Sequence, residues 1–177
     1  MQSYRLLFLV FLLATGLGAA SCGTSEPARQ KRYMKKTYRG IRRAVKGAAV
    51  SRLTDTVKVI FPDHLLFDFN SASIHEEELC CLDRFSRALN KFDRTAILIS
   101  GYADSVGTAG YNNSLSEQRA DAARQVLIRY QVSPTRINTW GMGERHPLAP
   151  NTTEAGRARN RRVEFIILYA PAGKTNP

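Results

Sequence analysis

The order of strand and helix signals in this 177-residue chain predicts an α+β or α/β domain in which helices cover a mixed sheet. Three observations carry that reading. Short apolar or alternating runs recur at residues 56–61, 65–69, 96–99, 137–140 and 163–169. Between them lie two longer stretches with helical periodicity, and such crossovers permit parallel pairing. The run Ala96-Ile97-Leu98-Ile99 is apolar without alternation, as expected of a strand covered on both faces.

Arg5 precedes an apolar run over residues 6–13, and small residues then lead to Ser21 and Cys22, the layout of a bacterial secretory signal over residues 1–21. The run is short for a membrane span. Small residues directly before a cysteine resemble a lipobox, so Cys22 is the expected lipidation site, although Ala19 stands where that motif usually has Leu. Ordinary cleavage near Ala20 and an uncleaved anchor are the alternatives. Gly23 is not the Asp that marks inner-membrane retention in some bacteria, so the outer membrane is the expected destination.

The formal charge of +11 invites a nucleic-acid reading, but nine basic residues and no acid lie within residues 28–46. Residues 47–177 hold sixteen basic and fourteen acidic side chains, so the rest is nearly neutral. Nucleic acid is therefore not the expected partner. Met34, Tyr38, Ile41, Val45 and Ala49 recur at helical spacing, which suits an amphipathic helix on an anionic surface or an envelope protein. Gly40 and Gly47 interrupt the pattern, and the other reading of residues 22–53 is a solvated, self-repelling tether. Fully extended, such a tether reaches about 100 Å.

The folded domain is expected over residues 54–170, with 171–177 as a tail. A hairpin is expected from the strands 56–61 and 65–69 around a Pro62-Asp63 turn. Ser73 and Glu76 read as a capping box for a helix whose apolar stripe is Leu82, Phe85, Leu89 and Phe92. Ser114 and Glu117 read as a second box, opening a helix to about Tyr130 with Leu115, Ala122, Val126 and Tyr130 buried. Arg119 falls on that stripe. A short helical turn at 154–159 precedes the last strand.

Asp104, just beyond the apolar strand, and Arg119, fifteen positions later, pair an acceptor-only group with a forked donor. Together they suit a zwitterion with an ammonium and a carboxylate. A structural Asp104–Arg119 ion pair is the alternative. Catalysis is not expected: His64, His75 and His146 lack metal or triad spacing, and Asp68 with Asp104 is the sole carboxylate pair to test. No cofactor or metal is implied. Cys80 and Cys81, adjacent on a helix, diverge by about 100°, so one at most faces the core.

The segments 101–107 and 111–120, with Arg136-Ile137, Gly141-Met142-Gly143, Pro147 and Asn160-Arg161-Arg162-Val163, resemble the C-terminal OmpA-like peptidoglycan-binding domain. That domain is found also in the peptidoglycan-associated lipoprotein and in flagellar stator proteins. The resemblance covers about residues 57–169. It implies an α+β, βαβαβ-type mixed sheet with helices on one face, and non-covalent binding of the peptidoglycan stem peptide. Asp104 would take the ammonium and Arg119 the carboxylate of diaminopimelate. Phe67, Phe69, Asn70, Leu115, Arg161 and Arg162 match secondary positions around the site, as do Asp68 and Asn160. Ala103, Tyr102 and Asn70 depart from common residues of the family. The implied role is a lipid-anchored, periplasm-facing tether between the outer membrane, or a membrane complex, and the cell wall. The alternative is a stator-like or secretion/conjugation-complex component with an uncleaved N-terminal anchor.

Overall fold

A computed structural model describes residues 25–68 and 70–170; the leader, Cys22, Phe69 and the tail from 171 lie outside the described residues. Of the two readings of the basic segment, tether and helix, the described residues show a nineteen-residue helix, α1 (Glu26–Ala44). Met34, Thr37, Ile41 and Val45 recur at three- and four-residue spacing and are buried, which supplies the apolar stripe a helix needs to dock. Tyr33 packs edge-on against Phe92 and Tyr169. Gly40, expected to interrupt the helix, instead admits its neighbour: a Cβ there would lie 2.4 Å from the Phe92 ring. Gly47, at φ +76°, ends the segment in a conformation that favours glycine.

The expected boundary at residue 54 falls inside a hairpin. β1 (Ala49–Leu53) pairs antiparallel with β2 (Thr56–Pro62) across Thr54 and Asp55. The hairpin expected around Pro62-Asp63 does not form. Asp63–Leu66 closes a single helical turn, α2, whose Asp63 carbonyl accepts from Phe67 N, and this carries Leu66 into the core. Phe67 then makes only an isolated antiparallel bridge with Ile74.

Neither capping box caps a helix. Glu76–Glu78 form a 3-10 turn with no side-chain cap, and α3 (Leu79–Lys91) follows it. Ser114 lies inside α4 (Ala109–Arg129), which is capped by Thr108 through a hydrogen bond from Tyr111 N to Thr108 Oγ1. Thr108→Ala is expected to cost about 1 kcal/mol and lower the melting temperature by roughly 2–4 °C in a thermal scan.

β3 (Thr95–Tyr102) extends three residues past the apolar run, while β4 (Ile137–Gly141), α5 (Glu154–Asn160) and β5 (Arg162–Tyr169) fall within a residue of expectation, and a 3-10 turn at Pro134–Arg136 leads into β4. The sheet order is β1-β2-β5-β3-β4. All pairs are antiparallel except β3 with β4, whose parallel register is bridged by α4. Alternate residues of β2 are buried, so the sheet has a covered and a more open face. Val57, Val59, Phe61, Ile97, Ile99, Val163, Phe165 and Ile167 join α3 and α4 in one core. Phe61, Phe85 and Phe165 form its aromatic centre, with centroids 5.2–6.1 Å apart. Cys81 is buried and Cys80 exposed, the divergence that adjacent helical positions dictate.

The buried stripe of α4 is shifted by one residue from the sequence reading. Asn112, Ser116, Arg119, Ala120, Ala123 and Leu127 face inward, while Leu115, Ala122, Val126 and Tyr130 are half-buried. Small side chains take the inner positions because α4 lies close upon the sheet. A Cβ on Gly101 would sit 2.0 Å from Ser116 O, and one on Gly141 2.7 Å from Glu117 Cβ.

Candidate functional site

Four chain segments meet where β2 and β3 end and β5 begins. Asp63 follows β2, and its N–H donates to Arg161 O (3.1 Å), tying the turn after β2 to the residue before β5. Asp104 follows β3, held by Val106 N on Oδ1 (2.9 Å) and by Asn112 Nδ2 on its carbonyl (3.1 Å). Arg119 projects from the inward face of α4, and Arg161 comes from the junction of α5 and β5.

The charges alternate through space. Arg119 Nη1 donates to Asp63 Oδ2 (3.2 Å), Arg161 Nε lies 3.5 Å from the same oxygen, and Arg161 Nη1 donates to Asp104 Oδ2 (2.7 Å). Asp104 and Arg119 are thus brought into one network, but as the ends of an Arg119–Asp63–Arg161–Asp104 chain. The direct ion pair weighed from the sequence is replaced by two intervening residues 98 positions apart in number but adjacent in space. Arg161 Nη2 also donates to Glu154 Oε1 (2.8 Å).

Burial sets the electrostatics. It pushes the Asp63 carboxyl above its usual range, with the guanidiniums of Arg119 and Arg161 pulling it back. It lowers Arg119, opposed by Asp63. Burial also acts to lower Arg161, but hydrogen bonds to Asp104 and Glu154 outweigh it and hold that guanidinium above its usual value. Glu154, hydrogen-bonded by Arg161 and Arg157, lies below the ordinary carboxylate range.

Both ends of the chain keep unused capacity. Arg119 Nε donates to Ser71 O (2.9 Å), and its guanidinium lies 5.2 Å from the centroid of Phe67. Its Nη2 makes no hydrogen bond to the described residues. An ionised carboxylate accepts about four hydrogen bonds; Asp104 uses one on each oxygen. A ligand carboxylate at Arg119 and an ammonium at Asp104 would extend the alternation at both ends.

The secondary positions divide. Phe67 is buried beneath Arg119, and Leu115 is half-buried one turn before it on α4. Asn70, at φ +59°, hydrogen-bonds the exposed Tyr111 hydroxyl. Asp68 extends outward and pairs with His75 (3.2 Å), apart from the network. Arg162 is a correction. As the residue after Arg161 entering a strand, it turns to the opposite face, stacks 3.6 Å from the Tyr102 ring centroid and donates to Glu164 (2.8 Å) and His146 O (3.1 Å). Asn160 pins the 148–151 loop through four hydrogen bonds. Sequence reasoning missed Asp63, Ser71, Tyr111 and Glu154. The available signal was electrostatic: three arginines assigned to one site with two aspartates leave a charge that another carboxylate must balance.

A profile of the OmpA family matches residues 66–161, more than half of the chain. The chain is 36% identical over 121 residues to the probable lipoprotein YiaD of Escherichia coli (strain K12), covering 68% of this chain and 55% of that protein. It is 32% identical over 115 residues to the peptidoglycan-binding protein ArfA of Mycobacterium tuberculosis (strain ATCC 25618 / H37Rv), covering 65% of this chain and 35% of that one. The chain therefore spans about half the length of the first relative and a third of the second. Among solved structures, the cell wall anchor of the T6SS from Pseudomonas aeruginosa is similar with a TM-score of 0.64 at 29% identity, covering 81% of this chain and 99% of that one.

Proposed function

The chain belongs to the OmpA family, and on that premise we propose that it binds peptidoglycan non-catalytically and ties a membrane to the cell wall. The observation that carries this reading is the Arg119–Asp63–Arg161–Asp104 chain, whose two ends have free capacity of opposite sign. The side-chain end of diaminopimelate in the stem peptide carries an ammonium and a carboxylate on one carbon. Arg119 receives the carboxylate, Asp104 the ammonium, and Arg161 bridges. Phe67 and Leu115 give the apolar floor, and Asn70 with Tyr111 borders the entrance. No cofactor or metal enters this reading.

The membrane attachment is a diacylglycerol on Cys22 in the outer membrane, with the domain facing the periplasm. Kinship with a protein named as a lipoprotein supports it. Because α1 is folded onto the domain, the reach of about 100 Å expected of an unfolded tether shrinks to the few residues between Cys22 and Glu26. The second reading, a component of a secretion or stator-like complex with an uncleaved anchor, draws on the likeness to a protein described as the cell wall anchor of the T6SS. Intact mass of the mature N-terminus separates them: a lipid on Cys22 supports the first, a retained Met1 the second.

Wall binding is tested by sedimenting the full chain with purified sacculi, with and without excess diaminopimelate. Asp104→Ala and Arg119→Ala each remove a charged hydrogen-bonding partner, worth about 1.5–3 kcal/mol, so each is expected to weaken binding tenfold or more. Undiminished binding by both variants, with unchanged circular dichroism, would assign the network a structural role alone.

A further inference from the structure

The outward side of α1 is chemically separate from the site, and the structure gives it a property that the sequence left open. Its apolar stripe is spent inside the domain, with Met34, Thr37 and Ile41 fully buried. The helix therefore has no apolar face left to insert into a bilayer, and what remains outside is charge. Lys31, Lys35, Lys36, Arg39, Arg42 and Arg43 are all exposed, and none makes an ion pair with a carboxylate among the described residues. Glu26, the helix's one acid, is paired with Arg29.

This arrangement opposes the helix that carries it. Lys31 with Lys35, Lys35 with Arg39, and Arg39 with Arg43 are like charges four residues apart, the spacing at which side chains meet and repel. Packing of α1 on α3, on Phe92 at the end of that helix and on Tyr169 of β5 holds these charges in a fixed array regardless. An anionic plane would turn the repulsion into attraction without any change of shape.

Which plane is within reach follows from covalent distance. Glu26 is four residues after Cys22, and four extended residues span at most about 14 Å. Potential from a charged surface decays over about 8–10 Å at ordinary ionic strength, so the anchor holds the start of α1 within one to two decay lengths of the headgroups, and a helix lying flat on them brings the rest of its cations into the same range. At about 28 Å long, α1 presents its cations over several lipid headgroups at once.

We infer that the exposed face of α1 is an electrostatic docking surface for anionic phospholipid, which lays the domain against the bilayer that anchors it. The inference rests on the membrane attachment proposed above and is independent of wall binding. A surface contact of this kind adds a second, salt-sensitive attachment to the anchor and fixes how the domain is presented.

The test uses the full chain inserted by its own N-terminal anchor into vesicles of phosphatidylcholine, or of phosphatidylcholine mixed with phosphatidylglycerol. Trace acylation of lysine amines is read by mass spectrometry. Lys31, Lys35, Lys36 and Lys46 are expected to react severalfold more slowly on the anionic vesicles, and the difference is expected to close at high salt. Lys58, on the open face of the sheet beside Glu164, serves as the unaffected control. Replacing Lys31, Lys35 and Lys36 together with Gln, all at exposed helical positions, should remove the protection of Lys46 without unfolding the domain. Equal rates on the two vesicle types would overturn the inference, as would protection that appears only with added sacculi or a DNA oligonucleotide. Failure of the anchor itself shows separately, as an unlipidated N-terminal peptide or as protein that never joins the vesicles. Failure of wall binding shows only in the sacculus assay with Asp104→Ala.

Discussion

Asp63→Ala is expected to unfold the site and to cost about 3–5 kcal/mol, the penalty for leaving buried charges without their partner. Asp63 Oδ2 is shared by Arg119 at 3.2 Å and Arg161 at 3.5 Å, and the Arg119 side chain is only 4% exposed, so water replaces little of what is lost. For a chain of this size that lowers the melting temperature by roughly 10 °C or more. Sacculus binding should fall with it at temperatures where the variant remains folded, because Arg161 and Arg119 then repel across the gap. Asp63→Asn keeps one acceptor oxygen and should lose less. The pH dependence has a definite sign. Burial raises the folded carboxyl of Asp63 above its unfolded value, so the folded state binds the proton more readily. The wild type should therefore gain stability relative to Asp63→Asn as pH falls through that raised value, and lose this advantage as pH rises. Thermal scans of both proteins from neutral to mildly acidic pH check this; a difference that moves the other way would mean that the two guanidiniums outweigh burial.

The second large effect is steric. Gly101→Ala would place a Cβ 2.0 Å from Ser116 O and 2.8 Å from Ser116 C, backbone atoms that cannot rotate away. α4 must lift from β3, and overpacking at a site this tight is expected to cost about 3 kcal/mol. Ser116 is one turn before Arg119, and Gly101 lies three residues before Asp104. Moving helix from strand therefore separates the two ends of the charge network while leaving every charged residue in place. The expected result is a lower melting temperature and wall binding reduced as far as by Arg119→Ala. Gly110→Ala is the control on the same helix. Nothing lies within 4 Å of its added Cβ, and alanine is the better helix former, so it should be neutral or stabilise by up to about 1 kcal/mol. A wild-type melting temperature for Gly101→Ala would refute the close approach of α4 to β3.

Several features were legible in the sequence because they are local. The apolar run at 96–99 and the periodicity of 79–91 specify β3 and α3 without reference to anything distant. The interval between Asp104 and Arg119 follows from one strand, one turn and one helix in succession, so their nearness to one site was readable before the sheet was known. Three other features were decided only by the tertiary structure. Residues 26–44 could be a charged tether or a helix, and what settles it is the presence of Phe92 and Tyr169 to receive Tyr33 and Gly40, more than fifty positions away in sequence. Pro62-Asp63 has the composition of a hairpin turn, yet the core draws Leu66 inward and closes α2 instead. Asp63 itself looked like a turn residue, because its partners Arg119, on α4, and Arg161, before β5, are brought to it by tertiary packing and not by spacing. Periodicity reports which side of an element is apolar. Which buried charge meets which depends on how β2, β3 and β5 come to lie side by side, a long-range outcome that no single segment encodes.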